Sequence, residues 1–143
     1  MKNILAFPQK IYYPYAMKIA SIDVGLKRIG VAICLDGKIV FPQDAILRKN
    51  RNQASRDVKT FLTEWEIDTL VVGLPKGGSA EDEMERRIKH FVGLLELTDI
   101  KVEYQDEAFS SIEAKELTQG VFRHKKDGRI DSISAKIILE RWL

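Results

Sequence analysis

The stretch Ile19-Ala20-Ser21-Ile22-Asp23-Val24-Gly25, followed at once by Lys27-Arg28-Ile29-Gly30-Val31-Ala32, is the most informative part of the chain. A short apolar run reads as a buried strand, and this one ends on a carboxylate. Burying an unpaired carboxylate is costly, so Asp23 needs a compensating group, and a cation is one candidate. Gly25 and Gly30 let the backbone turn tightly and approach a ligand closely. A residue that merely opens a turn would explain Asp23 as well. What separates the two readings is whether further carboxylates reach the same place.

Working outward, Lys18 to Asp23 reads as a first strand and Ile29 to Leu35 as a second. Asp36-Gly37 is a two-residue hairpin signal leading into a third strand at Lys38 to Phe41, which makes an antiparallel meander. Val58, Phe61, Leu62 and Trp65 then form one apolar helical stripe. Leu70-Val71-Val72 is a short continuous apolar run, as in a central strand covered on both faces. Ser79 with Asp82 starts a second helix, on which Met84, Ile88, Phe91 and Leu95 share a face. Lys101 to Tyr104 is a fifth strand. Ser110 with Glu113 caps another helix, ended by Gly120, and Ile133, Ile137 and Ile138 mark one side of a last helix.

This order predicts an α/β fold with a mixed five-stranded sheet and helices on both faces. Strands one to three are antiparallel, and strands four and five run parallel to strand one. Ligands collect at the carboxyl ends of parallel strands, where Asp23, Gly73-Leu74-Pro75 and Asp106-Glu107 all fall.

At 143 residues the chain reads as one domain. Residues 1–16 form either a peripheral extension or the product of an upstream start codon, and the domain proper runs from 17 to 143. The formal net charge is only +2, with 31% of residues charged, so any nucleic-acid surface must come from local patches. The lone Cys34 excludes an internal disulfide and a cysteine-rich metal site, in keeping with a reducing cytoplasm. His90 and His124 lack partners at zinc-ligand spacing. No apolar stretch approaches the ~20 residues that span a membrane, and Pro8 and Pro14 make the opening segment a poor signal peptide.

Two further acids stand out. Glu107 follows the fifth strand, and Asp131 lies in Arg129-Ile130-Asp131-Ser132-Ile133 at the start of the last helix. Each alone would pass for a solvated loop residue or an N-cap. Together with Asp23 they lie on elements that can converge. Three carboxylates without histidine or cysteine match a hard cation such as Mg²⁺ or Mn²⁺. Two such ions about 4 Å apart stabilise the attacking and leaving oxygens of a phosphoryl displacement. If strand four separates strands one and five, Asp23 and Glu107 start about 10 Å apart. Glutamate spans that gap better than aspartate, which favours Glu107 over Asp106. Basic residues complement the acids. Lys27 and Arg28 flank the Asp23 turn, while Arg123, His124, Lys125, Lys126 and Arg129 lead toward Asp131, a segment suited to a nucleic-acid backbone. Arg48-Lys49-Asn50-Arg51 is a second cluster, at the head of the first helix.

These residues resemble the YqgF-type family of Holliday-junction resolvase-like proteins, also described as nucleases of precursor 16S ribosomal RNA. The family's opening Asp-x-Gly-x-x-Arg-Ile-Gly-Val-Ala is matched by Asp23 to Ala32. Its Val-Gly-Leu-Pro appears as Val72-Gly73-Leu74-Pro75, its Asp-Glu before a Thr/Ser cap as Asp106-Glu107 with Ser110-Ser111, and its closing Ile-Asp as Ile130-Asp131. Ala108 stands where the family usually has Arg, and Ser134 where it has a small apolar residue. The resemblance covers about Lys18 to Leu143. It implies a ribonuclease-H-like fold and divalent-metal phosphodiester hydrolysis with Asp23, Glu107 and Asp131 as ligands.

The leading expectation is therefore a cytoplasmic nuclease, Mg²⁺- or Mn²⁺-dependent, that processes precursor 16S ribosomal RNA in ribosome biogenesis. Its partners would be structured RNA, ribosomal precursor particles or branched DNA. One alternative is a Holliday-junction resolvase in DNA repair. Another is a non-catalytic nucleic-acid or ribosome-binding protein on the same fold, motivated by Ala108. A phosphotransferase of the actin and sugar-kinase type also opens with Asp-x-Gly, but it needs a second domain that 143 residues cannot supply.

Overall fold

The computed structural model describes residues 17–75, 81–106 and 129–143, apart from the side chains of residues 81 and 129. Five strands run β1 (Ile19–Val24), β2 (Arg28–Cys34), β3 (Phe41–Leu47), β4 (Thr69–Leu74) and β5 (Lys101–Asp106). Among the described residues three helices accompany them: α1 (Arg51–Glu64), α2 (Glu81–Leu94) and α3 (Arg129–Trp142). The helix expected from Ser110 to Gly120 lies outside the described residues, as does the Ser79 cap.

The sheet has the order β3-β2-β1-β4-β5. The pairs β1–β2 and β2–β3 are antiparallel, while β1–β4 and β4–β5 are parallel. This is the ribonuclease-H-like mixed sheet expected from the sequence. β4 lies between β1 and β5, and all six of its residues are buried. That explains its unbroken apolar pattern, because each face meets a helical layer.

Strand alternation divides the core in two. Ala20, Ile22 and Val24 join Leu70, Val72 and Leu74 against Val58 and Leu62 of α1 and Ile88 and Phe91 of α2. On the other face Ile19, Ala32, Cys34 and Val71 pack against Ala135, Ile138 and Leu139 of α3. Each fully buried Leu, Ile or Val contributes about 1.5–3 kcal/mol of gross transfer free energy. Ser21 is a buried polar residue on the α3 face. Its hydroxyl donates to the Ala135 carbonyl at 2.6 Å, bonding the middle of β1 to the middle of α3. Ser21→Ala is expected to cost about 1 kcal/mol, read as a lower urea midpoint at unchanged m-value.

One strand is displaced from its expected place. β3 begins at Phe41, where the sequence reading ends it, and the connection from Cys34 is longer than a two-residue turn. The cause is the Asp36 side chain, whose Oδ1 accepts from the amides of Lys38 (2.9 Å) and Ile39 (3.0 Å). Those two donors are satisfied locally and do not join the ladder. The same bonds hold the Asp36 carboxyl below its ordinary pKa. Gly37, at φ 77°, supplies the left-handed step. α1 starts as a capping box, with Asn50 accepting from the Gln53 amide at 2.8 Å and the Gln53 side chain accepting in return from the Asn50 amide.

Candidate active site

Asp23 is the fifth residue of β1, in register with Gly30 of β2. Residues directly opposite in an antiparallel pair project to the same face. Alternation from Ile19 and Ser21 gives the same answer: Asp23 projects to the α3 face, where it is half-buried. Gly30 makes room there. A β-carbon at position 30 would overlap the Asp131 carbonyl group and lie 2.9 Å from the Ser132 nitrogen. The first turn of α3 thus rests on bare backbone opposite Asp23. The strand end and the helix start meet there.

Asp131 belongs to that first turn, where the positive end of the helix favours a carboxylate. Two contacts fix the turn against β2. Arg28 Nε donates to Asp131 Oδ2 at 2.9 Å, and Ser132 Oγ accepts from the Val31 amide at 3.3 Å. The sequence reading gives Arg28 to phosphate; in the structure its guanidinium is bonded to Asp131 and offsets that carboxylate's charge. Lys27 is exposed in the turn that joins β1 to β2. That turn is closed by the Gly25 amide donating to the Arg28 carbonyl at 3.1 Å. Arg48 supports it from below, donating from Nη1 to the Gly25 carbonyl at 2.8 Å and from its amide to the Lys27 carbonyl at 2.9 Å.

Asp106 ends β5 in register with Leu74, a residue of the α1–α2 core. It therefore belongs to the face opposite Asp23. Glu107, Arg123, Lys125, Lys126 and the Arg129 side chain lie outside the described residues. Among the described residues no group of three His, Cys, Asp or Glu is placed to hold a metal. Of the three acids named from the sequence, Asp23 and Asp131 are brought to one face by the described residues. A pair of carboxylates suits a hard cation, and the residues present fit Mg²⁺ or Mn²⁺ in donor type. Cys34 is buried on the α3 side of the sheet, its thiol pushed up by burial, and has no part in this edge. Gly30 as the seat of α3 is not legible as such, because its contact partner lies about a hundred residues away in sequence.

Comparison with known proteins gives the family. The profile of the RuvX family, described as Holliday junction resolvase, matches residues 17–143. The chain belongs to the RuvX family. A relative in Sulfurovum sp. (strain NBC37-1), named "Putative pre-16S rRNA nuclease", is 77% identical over 127 residues, covering 89% of this chain and 98% of that protein. A relative of the same name in Sulfurimonas denitrificans is 54% identical over 127 residues, covering 89% of this chain and 97% of that protein. Among solved structures, Thermus thermophilus RuvC in complex with a Holliday junction superposes with a TM-score of 0.55 at 12% identity, over 88% of this chain and 96% of that one. Fowlpox virus resolvase with Holliday junction DNA gives 0.53 at 19% identity, over 89% and 99%. At these identities the likeness speaks to the fold, which the RuvX chain shares with those resolvases. Among its described residues no helix is long and apolar enough to cross a membrane.

Proposed function

We propose that this protein is a Mg²⁺- or Mn²⁺-dependent nuclease that hydrolyses phosphodiester bonds in structured nucleic acid, with precursor 16S ribosomal RNA as its substrate. One observation carries the reading: β1 and α3 bring Asp23 and Asp131 to one face of the carboxyl edge through the bare backbone at Gly30. Membership of the RuvX family supports the reaction class, and the names of the relatives favour the RNA substrate.

Asp23 and Asp131 would hold metal together with Glu107, chosen over Asp106 because alternation takes Asp106 to the opposite face. A divalent ion so held would supply an activated water and a counter-charge for the scissile phosphate. The protein's own groups do the rest. Arg28 orients Asp131 and offsets its charge while the metal is absent. Lys27 and the basic segment Arg123, Lys125, Lys126 and Arg129 grip the nucleic-acid backbone. Ribosomal precursor particles are the corresponding partner, and the cytoplasm the corresponding compartment. The family description favours branched DNA as the alternative substrate.

Incubating wild type with precursor ribosomal RNA and with a four-way DNA junction, each with and without Mn²⁺, separates these substrates. Metal-dependent cleavage of the RNA alone is the expected result. Cleavage of neither, with the protein folded and metal present, would sink the nuclease reading. A second expectation concerns Arg28. In EDTA, Arg28→Gln costs at most about 1 kcal/mol, because the ion pair is partly exposed. Added Mn²⁺ should then raise the melting temperature of the variant more than that of wild type, since metal replaces the missing charge. Equal rises would show that Arg28 and metal do not share Asp131.

A further inference from the structure

Immediately after Asp23 the chain crosses to the other side of the sheet. Val24 belongs to the α1–α2 core, and Val24, Gly25 and Leu26 form the wall of a cleft of about 730 Å³ between the heads of α1 and α2. Arg48, Lys49 and Arg51 line it from one side, and Arg86 and Arg87 from the other. Among the described residues the carboxylate in the lining is Glu83, which is bonded to Arg87 at 2.8 Å. Lys49, Arg51 and Arg86 are exposed, and none of the ion pairs found among the described residues involves them.

This charge is held at a cost to the fold. Arg51 opens α1, and no acid stands in that helix's first turn. The positive end of a helix favours acids, so a cation there is unfavourable. Arg48 is held in the lining by its bond to the Gly25 carbonyl and by its seat 5.4 Å from the centre of the buried Phe91 ring. Burial and Arg51 both push its pKa down, the second effect being like-charge repulsion. Like charges gathered in a concave site raise the local potential and draw in an anion. The β1–β2 turn at Leu26 joins this cleft to the face that carries Asp23 and Asp131. Continuous negative charge that reaches both faces of one sheet edge is the property of a polynucleotide backbone.

We propose that this cleft is a second backbone-binding site, which takes one limb of a folded or branched nucleic acid while another limb lies over the carboxylates. The proposal rests on the nucleic-acid substrate argued above and adds the feature that would select structured over extended strands. The test uses the full chain in EDTA, where binding proceeds without cleavage. Affinities for an RNA hairpin and a four-way DNA junction are measured by fluorescence anisotropy across 50–200 mM salt, a range over which phosphate contacts dominate the change. For the triple variant Lys49→Gln, Arg51→Gln, Arg86→Gln, affinity should fall about 10-fold or more and the salt slope should drop by about 1 per side chain. Arg86→Gln alone, on the exposed face of α2, should lower the slope by about 1 and covers the case in which the triple variant is unstable. Folded variants that bind with wild-type affinity and slope would overturn the cleft assignment and leave the nuclease reading intact. Failure of wild type to bind either probe would remove both.

Discussion

Gly30→Ala is expected to lower the melting temperature by about 10 °C or more and to abolish cleavage even where the variant stays folded. The added methyl would overlap the carbonyl group of Asp131, which is backbone and cannot rotate away. Overpacking of this kind costs roughly 3 kcal/mol or more, and at this size each kcal/mol is worth about 3–4 °C. The only relief is for α3 to lift off β2, which also moves Asp131 away from the Asp23 face. Gly93→Ala is the internal control. It lies in α2 with nothing within 4 Å of a β-carbon, so the same chemical change there should stabilise by up to about 1 kcal/mol. Thermal unfolding of both variants, beside cleavage assays below their transitions, reads the contrast. Equal stability at position 30 would mean that the helix is not seated as described.

Asp23→Asn should leave the melting temperature in EDTA within a few degrees of wild type, because asparagine has nearly the same shape. Its effect falls on the chemistry. Loss of one anionic oxygen ligand is expected to lower the rate of metal-dependent cleavage at least about a thousandfold, about 4 kcal/mol of barrier. It should also shrink the Mn²⁺-induced rise in melting temperature, a readout that needs no substrate. A variant that cleaves as fast as wild type, with metal dependence demonstrated, would remove Asp23 from the ligand set.

Much of the fold was legible because its signals are local. The apolar run ending at Asp23, the pattern of Leu70-Val71-Val72 and the helical stripe through Val58 and Leu62 each declare an element within a few residues. The position of β3 is not legible, because the deciding interaction, the Asp36 side chain on two nearby amides, competes with the ladder without altering the apolar pattern. The site was legible in part. Asp23 and Asp131 could be named from residue type and element ends, but the pairing of Arg28 with Asp131 joins positions 103 residues apart and leaves no trace in either segment. The basic cleft shows the same limit. Arg48 to Arg51 reads as a small cluster, and only the packing of α2 beside α1 adds Arg86 and Arg87 to it.

The bonds that complete the candidate active site are the most non-local ones described, joining β1 and β2 to α3 across 101 to 114 residues. Contacts of such separation form late, because loop closure must precede them. α3 is also translated after every strand of the sheet. A nascent or half-folded chain can therefore assemble the α1–α2 core, basic cleft included, before Asp131 reaches Asp23. In such a chain affinity for nucleic acid would precede the ability to cut it.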